Sequence, residues 1–237
     1  WRGAYETLAV FCVLVMPVLA TILYKRAPFE NEVSAVDGMS PKERPLGMAP
    51  NMLQSCVCLA GIGCCVAMAV PQVHIIAYIT DLGFEAIHGA WMGTIALGCG
   101  IISRVVSGAI SDRIGGLNTL LLGSGFQLLA LCLYLPFKGL TALYLIAALF
   151  GLSQGGIVPS YTIIIRTFFK AADAGWRIGM ALFFTLFGMA LGGWLAGAIY
   201  DLTGSYDAAF INAIAFNIAN LMIAAELRRR ANRFAVA

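Results

Sequence analysis

The sequence contains little charge for its length. Only 11% of its 237 residues are charged and 60% are hydrophobic, whereas a soluble domain carries about 25% charged residues. A water-soluble fold cannot bury so large an apolar fraction, so the sequence predicts a protein that spans a lipid bilayer. The net charge of +3 is small and the basic residues are scattered, which disfavours a nucleic-acid-binding protein.

Residues typical of catalytic and metal sites are also scarce. The only histidines are His74 and His88, and no acidic residue lies in the middle of an apolar run. All seven cysteines lie within apolar runs, which disfavours a disulfide framework. The four at 56–65 have no neighbouring histidine or carboxylate, so we expect them to pack a helix interface. The sequence predicts no cofactor, no metal and no enzyme embedded in the membrane.

Seven apolar stretches are long enough to cross a bilayer, which takes about 20 residues. They cover residues 5–24, 52–79, 87–110, 117–136, 141–165, 178–200 and 207–227. Short polar or Gly/Pro-containing joints separate them, except for the charged, Pro-containing segment 25–50, which is predicted to be a mobile linker. The predicted fold is an all-α membrane protein with seven transmembrane helices.

The basic residues fall mostly on one side of the predicted membrane. Of the 15 Lys and Arg residues, Arg104 lies inside a span, Arg2 and Lys138 lie on one side, and the remaining twelve lie on the other. Because cytoplasmic loops are enriched in Lys and Arg, we expect the linker 25–50 and the basic C-terminal tail 228–237 to be cytoplasmic. The expected location is the cell membrane, inner or plasma, as a multi-pass protein.

Two spans end in related sequences. Both contain Gly-Ala-Ile-x-Asp-x-x-Gly, in which Gly108, Asp112 and Gly115 of the third span match Gly197, Asp201 and Gly204 of the sixth. The two spans are three helices apart and run in opposite directions by the charge count. Such an echo is typical of a transporter built as an inverted repeat of three helices plus three, although chance in a Gly-rich sequence also explains it.

The stretch 98–116 ends in an acid–base corner. Asp112 is placed to accept from the first amides of a following helix or to pair with Arg113 or another arginine. Such a corner is suited to hold a cytoplasmic gate shut. A tight turn with a helix cap is the other interpretation.

This corner resembles the loop signature of the major facilitator superfamily, between the second and third helices of its C-terminal half. In the same register, residues 1–24 resemble the last helix of the N-terminal bundle, 25–50 the central loop, and 51–227 the C-terminal six-helix bundle. The resemblance implies a secondary transporter that works by alternating access on a small molecule. It also implies a fragment that lacks its N-terminal bundle, since the sequence begins at Trp1. The family usually has basic residues after the second glycine, where Gly116 and Leu117 stand here, so a detailed gating role stays open.

Arg104 is the most informative single residue. A charge at membrane depth costs about 2.5–3.5 kcal/mol and is by default a functional hypothesis. In the monocarboxylate and oxalate transporter branches of the superfamily an arginine of the eighth helix binds an anion, and Arg104 occupies a similar place. The resemblance therefore implies an organic anion, for example a monocarboxylate, as substrate. The alternative is that Arg104 pairs with a carboxylate of the absent N-terminal bundle.

Four other residues are candidates for substrate binding: Gln72, His74, Tyr78 and Gln154. Pro71 is expected to break the second span beside them. His74 is a candidate carrier of a coupled proton, or else a satisfied histidine near the outer surface. Gln154 lies in the Gly- and Pro-containing stretch 151–161, which predicts a kinked helix lining a cavity, although helix packing also explains its glycines.

Two other classes of membrane protein with seven helices are disfavoured. A retinal protein needs a lysine inside its last helix, and every lysine here lies in a loop or at a span end. A seven-helix receptor would not explain the corner or its echo. The absence of a phosphate-binding Gly-rich loop with Lys and Ser or Thr favours symport with protons, or coupling to another solute, over ATP-driven transport.

Overall fold

A computed structural model describes residues 2–23 and 45–235, and within these ranges it contains helices and no strand. The helices are α1 Arg2–Leu23, α2 Pro50–Asp81, α3 Ala86–Ile114, α4 Gly116–Leu133, α5 Leu140–Gln154, α6 Ile157–Phe168, α7 Ala171–Thr203 and α8 Tyr206–Ala235. A 3-10 turn at Pro45–Gly47 precedes α2. The predicted all-α class is confirmed.

The chain divides into two compact units, Trp1–Pro41 and Lys42–Ala237. The first contains α1, a helix of 22 residues with Pro17 inside it. Its apolar stretch Ala9–Val18 is shorter than the spans of the second unit. Most of the linker predicted at 25–50 lies outside the described residues.

The second unit contains six helical segments long and apolar enough to cross a membrane. Two of them differ from the sequence prediction. The fifth is divided into α5 and α6, with Gly155 and Gly156 between them. The last helix continues through residues 228–235, so the basic segment extends α8 because arginine and alanine favour helix.

Helix α2 forms the centre of the six-helix bundle. It packs against α7, α8 and α3, and most of its side chains are buried. Glycines allow α7 to approach it closely, since a Cβ on Gly192 would lie 2.5 Å from the Val66 carbonyl oxygen and one on Gly188 would lie 2.8 Å from that of Ile62. The break expected at Pro71 is wrong, because α2 continues through this residue without interruption. The packing of α2 against α7 and α8 keeps the helix continuous at Pro71 despite the one missing backbone hydrogen bond.

The helix contacts follow a two-fold exchange. If α2, α3 and α4 exchange places with α5–α6, α7 and α8, the contact of α2 with α7 becomes that of α5 with α3. Likewise, the contact of α2 with α8 becomes that of α5 with α4, and α4 with α8 maps onto itself. All of these pairs are in contact. This pattern is the one that an inverted repeat of three helices plus three produces.

Helices α3 and α7 expose broad apolar faces. Val105 is 74% exposed on α3, and Leu186 is 71% exposed on α7. Faces of this kind contact lipid or a partner surface. Polar residues on these faces of α3 and α7 therefore lie where the bundle meets lipid or a partner surface.

Candidate substrate site

A pair of glutamines connects α2 with the end of α5. The side-chain amide of Gln72 donates a hydrogen bond to the Gln154 amide oxygen. Gln154 is only 8% exposed, and its own amide nitrogen lies 3.5 Å from the Ala96 carbonyl oxygen of α3. Three helices thus meet at Gln154, the last residue before the helix break.

The break between α5 and α6 packs directly against α3. A Cβ on Gly155 would lie 2.5 Å from the Arg104 backbone nitrogen and 2.7 Å from the Gly100 carbonyl oxygen. A Cβ on Gly156 would lie 2.5 Å from Ser107 Oγ. Side chains at these two positions would push the helices apart, so the glycines place the break against the turn of α3 that carries Arg104.

A cavity of about 160 Å³ lies beside the glutamine pair. Its lining is apolar apart from the two amides and consists of Pro71, Gln72, Ile75, Met92, Gly93, Ala96, Leu97, Tyr134, Ala147, Phe150 and Gln154. Leu97 and Arg104 are seven residues apart and therefore lie on the same face of α3, two turns from each other. Arg104 itself does not line the cavity but lies about 10 Å further along the same face of α3.

The Arg104 side chain is exposed and forms no ion pair with any described residue. It lies ten residues before the end of α3 at Ile114, which corresponds to about 15 Å of helix. The acidic residues of the bundle lie in the joints or within two residues of a helix end, except Glu226, which pairs with Arg230 on the basic part of α8. The guanidinium is therefore a cation at membrane depth that is available to a ligand or to a partner surface.

His74 and Tyr78 lie outside this cavity. His74 is half-buried between α2, α7 and α8, with its Nε2 atom 2.9 Å from the Gly193 carbonyl oxygen and its Nδ1 atom 3.5 Å from the Tyr206 hydroxyl. Tyr78 is 2% exposed, and its hydroxyl donates to the Tyr134 carbonyl oxygen at 3.1 Å. The structure brings Gln72 and Gln154 together, leaves Arg104 two turns of α3 beyond the cavity, and separates His74 and Tyr78 from it.

The corner after α3 is built around a glycine. Gly115 ends α3 at φ +80° and Gly204 ends α7 at φ +66°, so both echoed glycines terminate a helix in a conformation that other residues rarely adopt. Asp112 and Arg113 are exposed and form no hydrogen bond or ion pair with a described side chain. Asp112 does not cap α4, which begins without a side-chain cap.

The other members of the echo differ in their surroundings. Nothing lies within 4 Å of a Cβ built on Gly108, whereas one on Gly197 would lie 3.7 Å from the Cε1 atom of His74. Asp201, like Asp112, is exposed. No helix among the described residues therefore approaches Gly108 closely.

Sequence reasoning missed the polar cluster at the end of the bundle formed by the joints 82–85, 134–139 and 204–205. Lys138 forms an ion pair with Asp207 and lies 3.3 Å from the Tyr78 hydroxyl. Burial lowers the pKa of Lys138, but the hydrogen bonds from its ammonium group to Asp207 and Tyr78 outweigh this effect and raise the pKa above its usual value. Tyr200 donates to Asp81 at 2.7 Å. These partners are 69 and 119 residues apart, so no local pattern indicates them.

Comparison with known proteins supplies the family. The family model of the Major Facilitator Superfamily matches residues 1–147 and 55–234. Monocarboxylate transporter 13 of Rattus norvegicus is 28% identical over 152 residues, which are 63% of this chain and 36% of that protein. The MFS-type transporter opdF of Penicillium oxalicum is 31% identical over 152 residues, covering 60% and 36%. The Riboflavin transporter MCH5 of Saccharomyces cerevisiae is 28% identical over 158 residues, covering 60% and 30%. The matched segment spans about a third of the length of these curated relatives.

Proposed function

The chain belongs to the Major Facilitator Superfamily, and we propose that α2–α8 form the C-terminal bundle of a secondary transporter that carries a small carboxylate across a membrane. Transport then proceeds by alternating access, in which this bundle and a second one rock about a site near the middle of the membrane. The protein has a transport role rather than an enzymatic one. It resides in the cell membrane with the linker and the C-terminus in the cytoplasm.

Arg104 is the observation that carries this proposal. A planar guanidinium presents a fork of donors that matches a carboxylate in two parallel hydrogen bonds. The Arg104 side chain is exposed two turns beyond the cavity on the same face of α3, and no described acidic residue forms an ion pair with it. In a dry, apolar setting such a contact favours an anion over a neutral solute.

The glutamine pair supports a polar contact beside the carboxylate. The Gln72 amide keeps one N–H and its oxygen free of Gln154, and Gln154 is held at the helix break. Discontinuous helices of this kind supply substrate contacts in transporters. Gln72 and Gln154 are therefore proposed to bind the polar part of the substrate, with the apolar cavity wall contacting its carbon skeleton.

The names of the relatives support the same substrate class. Monocarboxylate transporters from rat and cattle match this chain, and carboxylates are the ligands for which an unpaired arginine is suited. A yeast relative is named a riboflavin transporter, so a larger, uncharged ring system is the alternative that the experiment has to include.

The corner at 108–115 is proposed as the cytoplasmic gate. Asp112 and Arg113 are exposed beside the sharp turn at Gly115, where they are free to form ion pairs with a second bundle that break when the bundles rock. Its echo at Gly197, Asp201 and Gly204 is proposed to serve the same purpose at the opposite end.

The test is uptake of labelled lactate, oxalate and riboflavin into vesicles that contain the full-length protein. We expect Arg104→Gln to reduce carboxylate uptake about 100-fold, since a desolvated charge contact is worth about 2–5 kcal/mol. Arg104→Lys is expected to restore only a small part, because a point charge does not reproduce the fork. Gln154→Leu should raise KM more than it lowers the maximal rate.

Arg229→Gln is the matched control, because Arg229 is exposed on the basic end of α8 and lies outside the proposed site. All variants are compared at equal amounts in the membrane. Normal carboxylate uptake by Arg104→Gln, or uptake of riboflavin alone by the wild type, would contradict the carboxylate proposal.

A further inference from the structure

We propose that His74 binds the proton that is coupled to transport, and that the Tyr206 hydroxyl reports its protonation to α8. This inference rests on the proposed transport function and names its coupling ion. Three observations support it: the fixed tautomer of His74, its position where α2, α7 and α8 meet, and its place on the same turn of α2 as Gln72.

The partner of Nε2 fixes the neutral tautomer. A carbonyl oxygen only accepts hydrogen bonds, so the Gly193 oxygen at 2.9 Å requires a hydrogen on Nε2 of His74. The lone pair of neutral histidine is then on Nδ1. That atom faces the Tyr206 hydroxyl at 3.5 Å, which donates to it.

Protonation changes one contact of His74 and leaves the other in place. A proton that joins Nδ1 turns this atom from an acceptor into a donor, while Nε2 keeps its bond to Gly193. The Tyr206 hydroxyl then has to rotate so that its oxygen accepts the new N–H. Because Tyr206 is the first residue of α8, loading and release of the proton alter the contact of α2 with α8 but not that of α2 with α7.

Charged and titratable groups lie on every element that packs against His74. Those on the neighbouring elements are Tyr78 and Asp81 of α2, Tyr200 and Asp201 of α7, Tyr206 and Asp207 of α8, and Lys138 of the joint between α4 and α5. Lys138 is paired with Asp207. Asp81 accepts from Tyr200, whose ring stacks on that of Tyr206 at 4.4 Å.

The same turn of α2 contacts both the proton site and the substrate cavity. Gln72 faces Gln154 and the cavity, whereas His74 faces α7 and α8. Pro71 has no N–H, so the carbonyl oxygen of Ala67 has no helical partner and the turn is held less firmly by its backbone. A changed contact at His74 can therefore shift Gln72 and alter substrate binding.

The second histidine provides a matched control. His88 also faces a tyrosine hydroxyl, with its Nδ1 atom 3.0 Å from Tyr144, and the two rings meet edge to face with centroids 6.1 Å apart. It connects α3 with α5 and contacts neither the glutamine pair nor the acidic residues around Tyr206. His88→Gln removes a histidine–tyrosine pair without touching the proposed proton site.

The experiment compares two transport modes in vesicles that contain the full-length protein. One is lactate uptake driven by an outside pH of about 5.5 against an inside pH of about 7.5, with proton entry followed by a trapped pH dye. The other is lactate exchange at equal pH, which needs no net proton movement. We expect His74→Gln to reduce driven uptake and its proton signal at least about tenfold. Exchange should stay within about twofold of the wild-type rate. His88→Gln should keep both.

Two results in this assay overturn the inference. Driven uptake and proton entry that persist in His74→Gln would exclude His74 as the proton site. An equal loss of driven uptake and exchange would show that His74 supports the structure. A wild type that moves no lactate in either mode would contradict the proposed substrate class. The proton site is then tested independently by a measurement that needs no substrate.

That measurement is nitrogen-15 NMR of labelled histidines in lipid nanodiscs. The signal absent from His74→Gln should show hydrogen on Nε2 at high pH and gain a proton on Nδ1 as the pH falls. Amide signals at the start of α8 should follow this titration in the wild type and stop following it in Tyr206→Phe. A His74 that stays neutral down to about pH 5, or α8 signals that ignore its titration, would overturn the inference.

Discussion

The two ends of the six-helix bundle carry opposite charge and are held together in different ways. The acidic end contains Asp81, Glu85, Asp201 and Asp207 with Lys138. The basic end contains Arg113, Arg166, Lys170, Arg177, Arg228, Arg229, Arg230 and Arg233 with Asp112, Asp173 and Glu226. At the acidic end, Lys138–Asp207 and Tyr200–Asp81 join different elements. At the basic end, the ion pairs among described residues, Arg177–Asp173 and Arg230–Glu226, each lie within one helix, and Gln54 of α2 donates to the backbone carbonyl oxygen of Arg177 at 3.1 Å.

This difference indicates where the bundle is free to move. Bonds between elements fasten the acidic end of this bundle to itself. The charged side chains of the basic end pair only within their own helices, so they can contact a partner surface without first breaking an ion pair between helices. Alternating access needs such an end, because the contacts between bundles must form and break in each cycle.

The largest expected effect concerns the side of the membrane on which each end lies. Exposed Glu85 and Ala172 mark the acidic and the basic end. Because Lys and Arg are retained on the cytoplasmic side, a cysteine at Glu85 should react with an impermeant maleimide in intact cells. A cysteine at Ala172 should react only after permeabilisation. The wild type gives the background, since its cysteines lie in apolar helices. The opposite pattern would contradict the proposed orientation.

A smaller effect is expected from breaking the cross-element pair at the acidic end. Lys138→Glu should destabilise the protein by about 1 kcal/mol, or about 2–4 °C in Tm, because it faces Asp207 with a like charge. The double variant Lys138→Asp with Asp207→Lys should recover part of this loss. Arg230→Glu at the basic end is the control and should cost less, since the pair it breaks joins residues one turn apart on one helix, where such a pair contributes about 0.3–0.5 kcal/mol. Equal losses would remove the distinction between the two ends.

The same pair predicts a dependence on pH. The pKa of Lys138 is raised in the folded protein, so its contribution is fully present below the unfolded lysine value of about 10.4. It is lost as the pH rises through the higher folded pKa. The difference in Tm between the wild type and Lys138→Met should therefore be constant at neutral pH and shrink in strongly alkaline buffer. A difference that grows with pH would contradict this sign.

The smallest effect is expected at Arg177, where a substitution should not lower Tm. Its side chain is 6% exposed and its Asp173 partner lies 3.9 Å away. Its Nε and Nη1 atoms have no hydrogen-bond partner. The guanidinium carbon lies 4.2 Å from the ring centre of Phe169 and 4.3 Å from that of Trp176. Arg177→Met keeps an apolar side chain against these rings and removes a poorly compensated buried charge.

We expect Arg177→Met to leave Tm unchanged or to raise it, because replacing a buried charge by a well-packed apolar group is often neutral or stabilising. Arg177→Ala is the control for lost volume and should lower Tm. A loss above about 2 kcal/mol in Arg177→Met would show that stacking on the two rings outweighs desolvation.

Several features of the fold were predictable because they depend on neighbouring residues. Hydropathy indicated the spans, and the glycines at 115 and 204 indicated helix ends, since glycine adopts a positive φ at little cost. The composition around Gln154 predicted a kinked helix, and the structure has a break there. The expectation for Pro71 failed because packing of α2 on α7 and α8 overrides a single missing backbone bond.

The candidate site was predictable only in part. The depth of Arg104 follows from counting residues along a helix, so the sequence alone marked it as a candidate ligand for the substrate. The partner of Gln72 was not, since Gln154 is 82 residues away and no pattern in the sequence connects them. Tyr78 was expected beside the substrate, but the rotation of α2 turns its hydroxyl toward the Tyr134 backbone.

The sequence by itself determined that the protein spans a membrane and which family it resembles, while of its seven predicted spans the described residues contain six that are long and apolar enough, with a shorter apolar stretch in α1. These properties follow from local hydropathy, from the distribution of Lys and Arg, and from one short motif. Only the tertiary structure decided which polar side chains meet. Contacts such as that of His74 with Tyr206, or of Lys138 with Asp207, depend on how each helix is rotated and where it crosses its neighbours. That geometry is set by packing across the whole bundle.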